Sequence, residues 1–301
     1  AGLSDMQVFF ICAVIFCLGG ELISMSAYKI EERVAIPAPK GESLIQSLLV
    51  LRHNPTLIFI SLARFSQGLS PKVQNAYFFE NCVSLGSLNG QSAEVLYGFC
   101  SGILGTPVMF FATKVAEKIG GMKRILVTSQ LFAAVLRIIA YFVGYNTIPK
   151  FIIMTALMAL VNLPGQMMDI AHRSLTSDSI DEVELKTGLR TEGISFSMQN
   201  FTTKMTSGAS TLIEGFLLKF LGYDSAAKEK GLTQNKTFLN WQWPMFMLGP
   251  VVGAVLYLFF ISFIKDNKEH KAEVERKLRE RRAAQLNTEE NEPVVINTEN
   301  G

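Results

Sequence analysis

The chain has 301 residues, 49% of them hydrophobic and only 18% charged, with a formal net charge of +2. A soluble domain of this length carries more charge and needs less apolar material than a mean hydropathy of +0.28 records. Composition therefore sets aside an ordinary soluble enzyme or a nucleic-acid-binding domain and leaves several bilayer spans of about 20 apolar residues each.

Seven apolar stretches can span a membrane, at approximately 5–28, 55–82, 92–116, 124–145, 148–172, 191–221 and 242–264. The first contains Cys12 and Cys17, and Cys82 and Cys100 fall in or beside later stretches; none has metal-ligand spacing, so all four read as small buried hydrophobes. The chain starts at Ala1 without a signal-peptide pattern, and it reads as a fragment lacking its N-terminal portion or as an incomplete gene model. Basic residues cluster in 29–54 (Lys29, Arg33, Lys40, Arg52), in 112–124 (Lys114, Lys118, Lys123, Arg124) and in 173–190 (Arg173, Lys186, Arg190). The tail beyond 264 adds eight Lys/Arg up to Arg282, whereas 83–91 has none. By the positive-inside rule these segments and the C-terminus are cytoplasmic and residue 1 starts outside. The loop 222–241, with Lys228, Lys230 and Lys236, is weaker support. Asn235-Lys-Thr237 on that outer loop is a glycosylation sequon with meaning only in a eukaryote.

Seven spans with an outside start are read most simply as one span, a linker and six more. The expected organisation is all-α and polytopic: 1–28 the last span of a missing N-terminal half, 29–54 a central cytoplasmic linker, 55–264 a six-helix C-terminal half, and 265–301 a cytoplasmic tail, partly disordered. Within the linker, Ser43–Arg52 has the spacing of a short amphipathic helix, on the membrane surface or packed on the bundle. The tail starts as a helix extending the last span, and its charges suit lipid headgroups.

Polar residues inside the spans carry the functional signal. In the second span Arg64, Gln67, Lys72 and Asn75 lie roughly on one face, and Pro71 predicts a kink. Arg137 in the fourth span lies nearer the predicted outside. In the fifth span Asn162, Gln166, Asp169 and Arg173 fall within about 60° of arc, with Pro164-Gly165 in their midst. Such a stripe must face a partner helix or a water-filled cavity. The sixth span carries two stripes: Ser195, Gln199, Thr202, Thr206 and Ser210 on one side, and Ser197, Asn200, Lys204, Ser207 and Thr211 on the other. Hydroxyls there can bond the carbonyl four residues back. Lys204, about ten residues into the span, costs roughly 3 kcal/mol in lipid and needs a partner such as Glu214 or an acid on the missing half. Between the fifth and sixth spans, Asp178, Asp181, Glu182 and Glu184 precede Lys186, Arg190 and Glu192, and read as an acidic loop whose ion pairs could break and re-form during alternating access.

The run Asp178, Asp181, Glu184, Lys186, Gly188, Arg190, Glu192, Gly193, Phe196, Ser197, Gln199 and Lys204 resembles the signature of the glycoside–pentoside–hexuronide:cation symporters, the melibiose-carrier branch of the major facilitator superfamily. Glu182 stands where many relatives carry an aromatic residue. Arg52-His53-Asn54 and Gly222-Tyr223 also match, so the resemblance covers the last seven of twelve spans. It implies a multi-pass cell-membrane transporter of a bacterial plasma membrane, importing a glycoside, pentoside or hexuronide with Na⁺, H⁺ or Li⁺ and holding no cofactor. Its partners would be the sugar, membrane lipid and the missing six-helix half. The ion and sugar pathway would take Lys204, Asn200, Gln199, Thr203, Asn162, Gln166, Asp169, Arg64, Gln67 and Asn75. Arg173, Asp178, Asp181, Glu184, Arg190 and Glu192 would form the cytoplasmic charge network.

Enzymatic readings find little support. Three histidines are scattered, no Ser-His-Asp or Cys-His set can be assigned, and no phosphate-binding glycine loop occurs. A retinal protein would need its lysine in the last helix, where none lies within the apolar core. A carrier of another amphiphile, such as a lysolipid, and a non-transporting sensor on the same fold remain as alternatives.

Overall fold

In the computed structural model, residues 5–25, 49, 51–86, 88–103, 107, 108, 110–229 and 232–291 are described. The chain divides into two compact units, Ala1–Glu42 and Ser43–Gly301. The first contains helix α1, Asp5–Ser24, whose apolar side chains from Phe9 to Ile23 are largely exposed. Most of the linker 29–54, with its expected amphipathic helix, lies outside the described residues.

The second unit is a helical bundle. Its described helices are α2 Pro55–Gly68, α3 Asn75–Cys82, α4 Gly90–Ile103, α5 Ala112–Ile119, α6 Met122–Val143, α7 Ile148–Thr187, α8 Glu192–Leu221, α9 Ser225–Glu229, α10 Lys236–Ser262 and α11 Lys268–Asn291. Four described helices are long and apolar enough to cross a membrane: Met6–Ser24 within α1, α6, α7 and α10. Leu131, Phe132, Val135, Ile138, Ile139 and Phe142 of α6 are all exposed. An apolar surface this continuous is what lipid contact selects and what a water-soluble surface avoids.

The stretches expected as single spans at 55–82 and 92–116 are not continuous helices. The first is two helices, α2 and α3, separated at Leu69–Gln74. Pro71, which cannot donate a backbone hydrogen bond, stands in the break. Asn54 starts α2 by accepting the Leu57 N–H at 2.9 Å, and its amide donates to Ser179 Oγ at 3.0 Å, tying the start of α2 to α7.

The break is accommodated by α10. A Cβ on Gly249 would collide with the Pro71 carbonyl, and one on Gly253 would press on the Gln67 carbonyl and Ser70. Glycine at these two points lets an irregular backbone lie directly on a helix, as membrane proteins require where helices approach closely. Replacing Gly249 with Ala is expected to displace the break and cost about 1–3 kcal/mol, read as a lower Tm of the detergent-solubilised protein.

Two apolar clusters fill the bundle. One is aromatic: Phe78 stacks on Phe246 at 4.6 Å, and Phe79, Tyr97, Phe151 and Trp243 pack around them. The other contains Ile60, Ile125, Leu126, Leu175, Tyr257 and Ile261. Along α2–α3, α6, α7 and α10, the two clusters lie toward opposite ends, with Gln67 and Asn162 between them and Arg137 beside the aromatic one.

Two expectations about the side read as cytoplasmic from the sequence are corrected. Asp178 to Glu184 do not form a loop: α7 runs on through them and stops at Gly188, whose left-handed φ of 78° lets its N–H close on the Glu184 carbonyl at 2.8 Å. The acidic spacing is compatible with helix, and the structure extends the span by four further turns beyond the apolar stretch. The tail is also not a continuation of the last span. Residues 263–267 break the helix, and α11 packs against α7.

Candidate functional site

Three cavities meet at the α2–α3 break. One of about 440 Å³ is lined by Gln67, Lys72, Asn75, Glu94, Tyr97, Ser101, Arg137 and Asn162. A second, about 260 Å³, is lined by Arg64, Gln67, Lys72, Thr203, Thr206 and Ser207. A third, about 160 Å³, adds Ser129, Gln130 and Pro164 to Gln67 and Arg137. Gln67 and Pro250 border all three. The break turns the chain so that Gln67 on one helix, Lys72 in the break itself and Asn75 on the next helix face shared space. That is how interrupted helices build polar sites inside a membrane.

The cavity walls are largely fixed. The Asn162 amide donates to the Ser101 carbonyl at 3.2 Å, joining α7 to α4. Arg137 donates to the Phe246 carbonyl at 3.3 Å. The Glu214 carboxylate accepts the Gln74 backbone N–H at 2.8 Å and the Gln74 amide at 3.3 Å. Beneath the cavities, His172 and Tyr257 share a buried 2.7 Å hydrogen bond.

The structure brings Arg64, Gln67 and Thr203 together in one cavity and Gln67, Asn75 and Asn162 in another. The α7 stripe of Asn162, Gln166, Asp169 and Arg173 is exposed throughout. On α8 the two stripes separate cleanly. Ser195, Gln199 and Thr202 are buried, while Ser197, Asn200, Thr203, Lys204, Ser207 and Thr211 are exposed. A third α8 face, with Phe201, Met205, Leu212, Phe216 and Phe220, is exposed and apolar. Thr202, Thr203, Thr206, Ser207 and Thr211 each bond the carbonyl four residues back.

Three particulars differ from expectation. Glu214 serves Gln74 and not Lys204; Lys204 is exposed and forms no ion pair among the described residues. Gln199 faces the packed side, its amide without a partner among the described residues. Arg173 is exposed and joins no ion pair among them. Lys72 and Arg137, singled out above as polar residues within spans, and Glu94, Tyr97 and Ser101, which were not, complete the 440 Å³ cavity. Lys72 shares a face with Gln67 in the sequence; Glu94 and Ser101 become legible only when α4 is placed against α7.

At the Gly188 end of α7 the charges form two groups of ion pairs, both joining α7 to α11. Arg190 meets Asp181 at 3.1 Å, Glu184 at 2.7 Å and Glu192 at 3.0 Å. Arg282 of α11 reaches the same Glu184 at 2.9 Å. Lys271, also on α11, bridges Asp178 at 2.6 Å and Asp266 at 2.8 Å. Asp266 in turn accepts the Lys123 N–H at 2.9 Å, which ties the start of α6 to the same cluster.

Burial works to lower the Lys271 pKa, but hydrogen bonds and charge from Asp178 and Asp266 outweigh it and hold the ammonium above its ordinary value. A lysine raised in this way contributes fully below the ordinary value of 10.5 and loses its contribution only as pH rises through the higher folded one. The α11 tie should therefore hold across neutral and mildly alkaline pH. Lys271→Ala is expected to speed tryptic cleavage at the α10–α11 junction, next to Lys265, about threefold or more at neutral pH. An unchanged rate would mean that α11 is held by its other contacts.

A family model described as MFS/sugar transport protein matches residues 4–268. Over 298 residues the chain is 24% identical to the "Putative sulfoquinovose importer" of Escherichia coli (strain K12), covering 95% of this chain and 60% of that protein. The chain thus spans about 60% of the length of this curated relative.

Proposed function

This chain belongs to the MFS/sugar transport protein family, and on that premise we propose that the full-length protein imports a sugar by cation-coupled alternating access. The observation that carries the reading is the polar cavity at the α2–α3 break, set between two apolar clusters of a membrane-embedded bundle. A site halfway through the bundle, open to one side at a time, is the geometry that alternating access uses.

In this reading α2 to α10 form the second half of a twelve-helix carrier, and α1 closes the first half. The exposed polar faces of α7 and α8 would turn toward that first half across a water-filled pathway. Gln67, Asn75, Asn162 and Thr203 would hydrogen-bond sugar hydroxyls, with Arg64 beneath them. The network of Arg190, Asp181, Glu184 and Glu192, reinforced from α11, would hold the cytoplasmic ends of α7 and α8 together in one state and release them in the other. The coupling ion, Na⁺, H⁺ or Li⁺, would bind mainly on the first half, and the C-terminus would face the cytoplasm of a bacterial cell.

The test is uptake of labelled α- and β-galactosides, xylosides and glucuronides by cells expressing the full-length protein, with and without Na⁺ and a pH gradient. Uptake of one sugar class that collapses with the ion gradient supports the reading. Ion-independent equilibration would remove the coupling. Absence of uptake, with the protein shown in the membrane, would remove sugar transport.

A further inference from the structure

We propose that Glu214 of α8 is a positioning residue for the cargo: it does not line the 440 Å³ cavity, yet through Gln74 it fixes where Lys72 and Asn75 stand in the cavity wall. The inference rests on the sugar-import reading and adds to it a determinant of affinity outside the cavity.

The need for such a residue arises at the break. Backbone groups freed inside a span find no water in lipid and must be met by protein. Between Pro71 and Phe78 the chain is pinned at its two ends. The Pro71 carbonyl lies against Gly249, and Phe78 stacks on Phe246, both partners being on α10. Lys72, Val73 and Asn75 lie between these points, and all three line the 440 Å³ cavity. Local sequence does little to hold them. Gln74 stands at the N-cap of α3, and its side chain makes no capping bond. A Glu three residues further on could reach back to the N-cap N–H, but that residue is Tyr77.

Glu214 supplies the acceptor from a helix 140 positions away. One carboxylate oxygen takes the Gln74 N–H at 2.8 Å and the other takes the Gln74 side-chain amide at 3.3 Å. One group thus holds both the backbone and the side chain of the residue between Val73 and Asn75. A carboxylate within a span is costly, and Glu214 forms no ion pair among the described residues. Its charge is met by the Gln74 N–H and by the positive end of the α3 dipole. A second contact joins the same two elements: Tyr77 of α3 meets Tyr223, just past the end of α8, edge to face at 5.1 Å. Without Glu214 the Gln74 N–H loses its acceptor, and the stretch from Lys72 to Asn75 loses its tie to α8. Hydrogen bonds weaken steeply with distance and angle, so a cavity wall that moves loses its hold on sugar hydroxyls.

The test joins two measurements on the full-length protein: uptake kinetics of whichever sugar the wild type carries, and amide exchange in detergent. Glu214→Ala should speed exchange across Gln74 to Tyr77 about tenfold or more. It should raise KM about tenfold while kcat changes by no more than about threefold. Glu214→Gln keeps a carbonyl oxygen for the Gln74 N–H and should restore most of the lost affinity. If Glu214→Ala does not reach the membrane, Glu214→Asp, which draws the carboxylate back by one methylene, takes its place with a rise in KM again expected. An unchanged KM overturns the inference while sugar import stands. So does a fall in kcat at constant KM, or a loss confined to Tm, since either makes Glu214 a gate or a packing contact and not a positioning residue. If the wild-type protein, shown to be in the membrane, carries no sugar, the import reading falls and this inference with it.

Discussion

Arg190→Ala in the full-length protein should slow turnover by about tenfold or more while changing substrate affinity by no more than about threefold. Arg190 stands immediately after α7 and before α8, and its guanidinium holds carboxylates from both sides of the junction: Asp181 and Glu184 on α7 and Glu192 on α8. It lies well away in sequence from Gln67, Asn75 and Asn162, the proposed sugar contacts. Removing it leaves Glu184 with Arg282 of α11, but frees Asp181 and Glu192 from their shared cation. Neighbouring carboxylates that lose a common cation repel one another, so the C-terminal end of α7 and the N-terminal end of α8 should separate more readily. If the network defines one of two states in the cycle, its loss shifts the balance between them and slows the return step. Uptake rate and equilibrium binding, measured on the same preparation, separate the two effects. Equal loss in both would mean that Arg190 shapes the binding site and not the gate. A Glu184→Gln variant, which weakens the contacts of both Arg190 and Arg282, should show the same asymmetry.

The charges around Arg190 also show where sequence reading stops. Asp181, Glu184, Arg190 and Glu192 are near one another in the chain, so their grouping is visible from spacing alone. Their secondary structure is not. Four acidic residues at a predicted span end read as a loop, yet spacings of three and four residues equally suit helix, and packing of α11 against α7 favours the helix. Lys271 and Arg282 could not be assigned to the cluster from sequence, because nothing local brings residues 80 or more positions away onto Asp178 and Glu184.

The same distinction holds in the bundle. The polar stripe of Asn162, Gln166, Asp169 and Arg173 and the two stripes of α8 are periodic and stand out within apolar sequence, and each lies on the face that periodicity predicts. Periodicity does not say which stripe packs and which is open. On α8 it is Ser195, Gln199 and Thr202 that pack, because Gly68 of α2 lies against Thr206 on the same side and brings the helices close. The break at Pro71 was legible as a kink. That it is a complete interruption, seated on Gly249 and Gly253, required the partner helix.

Lys204→Ala should reduce uptake by the full-length protein about tenfold or more while leaving membrane insertion and thermal stability unchanged. The lysine is exposed on the polar stripe of α8 with Asn200, Thr203, Ser207 and Thr211, and Glu214, the acid expected to neutralise it, is occupied by Gln74. An ammonium within a membrane span persists only where water, substrate or an opposing charge reaches it. Lys204 forms no ion pair among the described residues, so its removal breaks no such pair, and α8, a span in the proposed carrier, becomes more apolar, which favours insertion. A loss of uptake without a fall in Tm therefore separates a role in the pathway from a role in holding the bundle. Lys204→Arg keeps the charge but enlarges the head and fixes it as a planar fork, and it should recover uptake only partly if the ammonium meets a shaped site. Unchanged uptake in Lys204→Ala would make the residue a water-facing lysine at the edge of the cavity, and the proposed pathway would then run along α2, α3 and α7 alone.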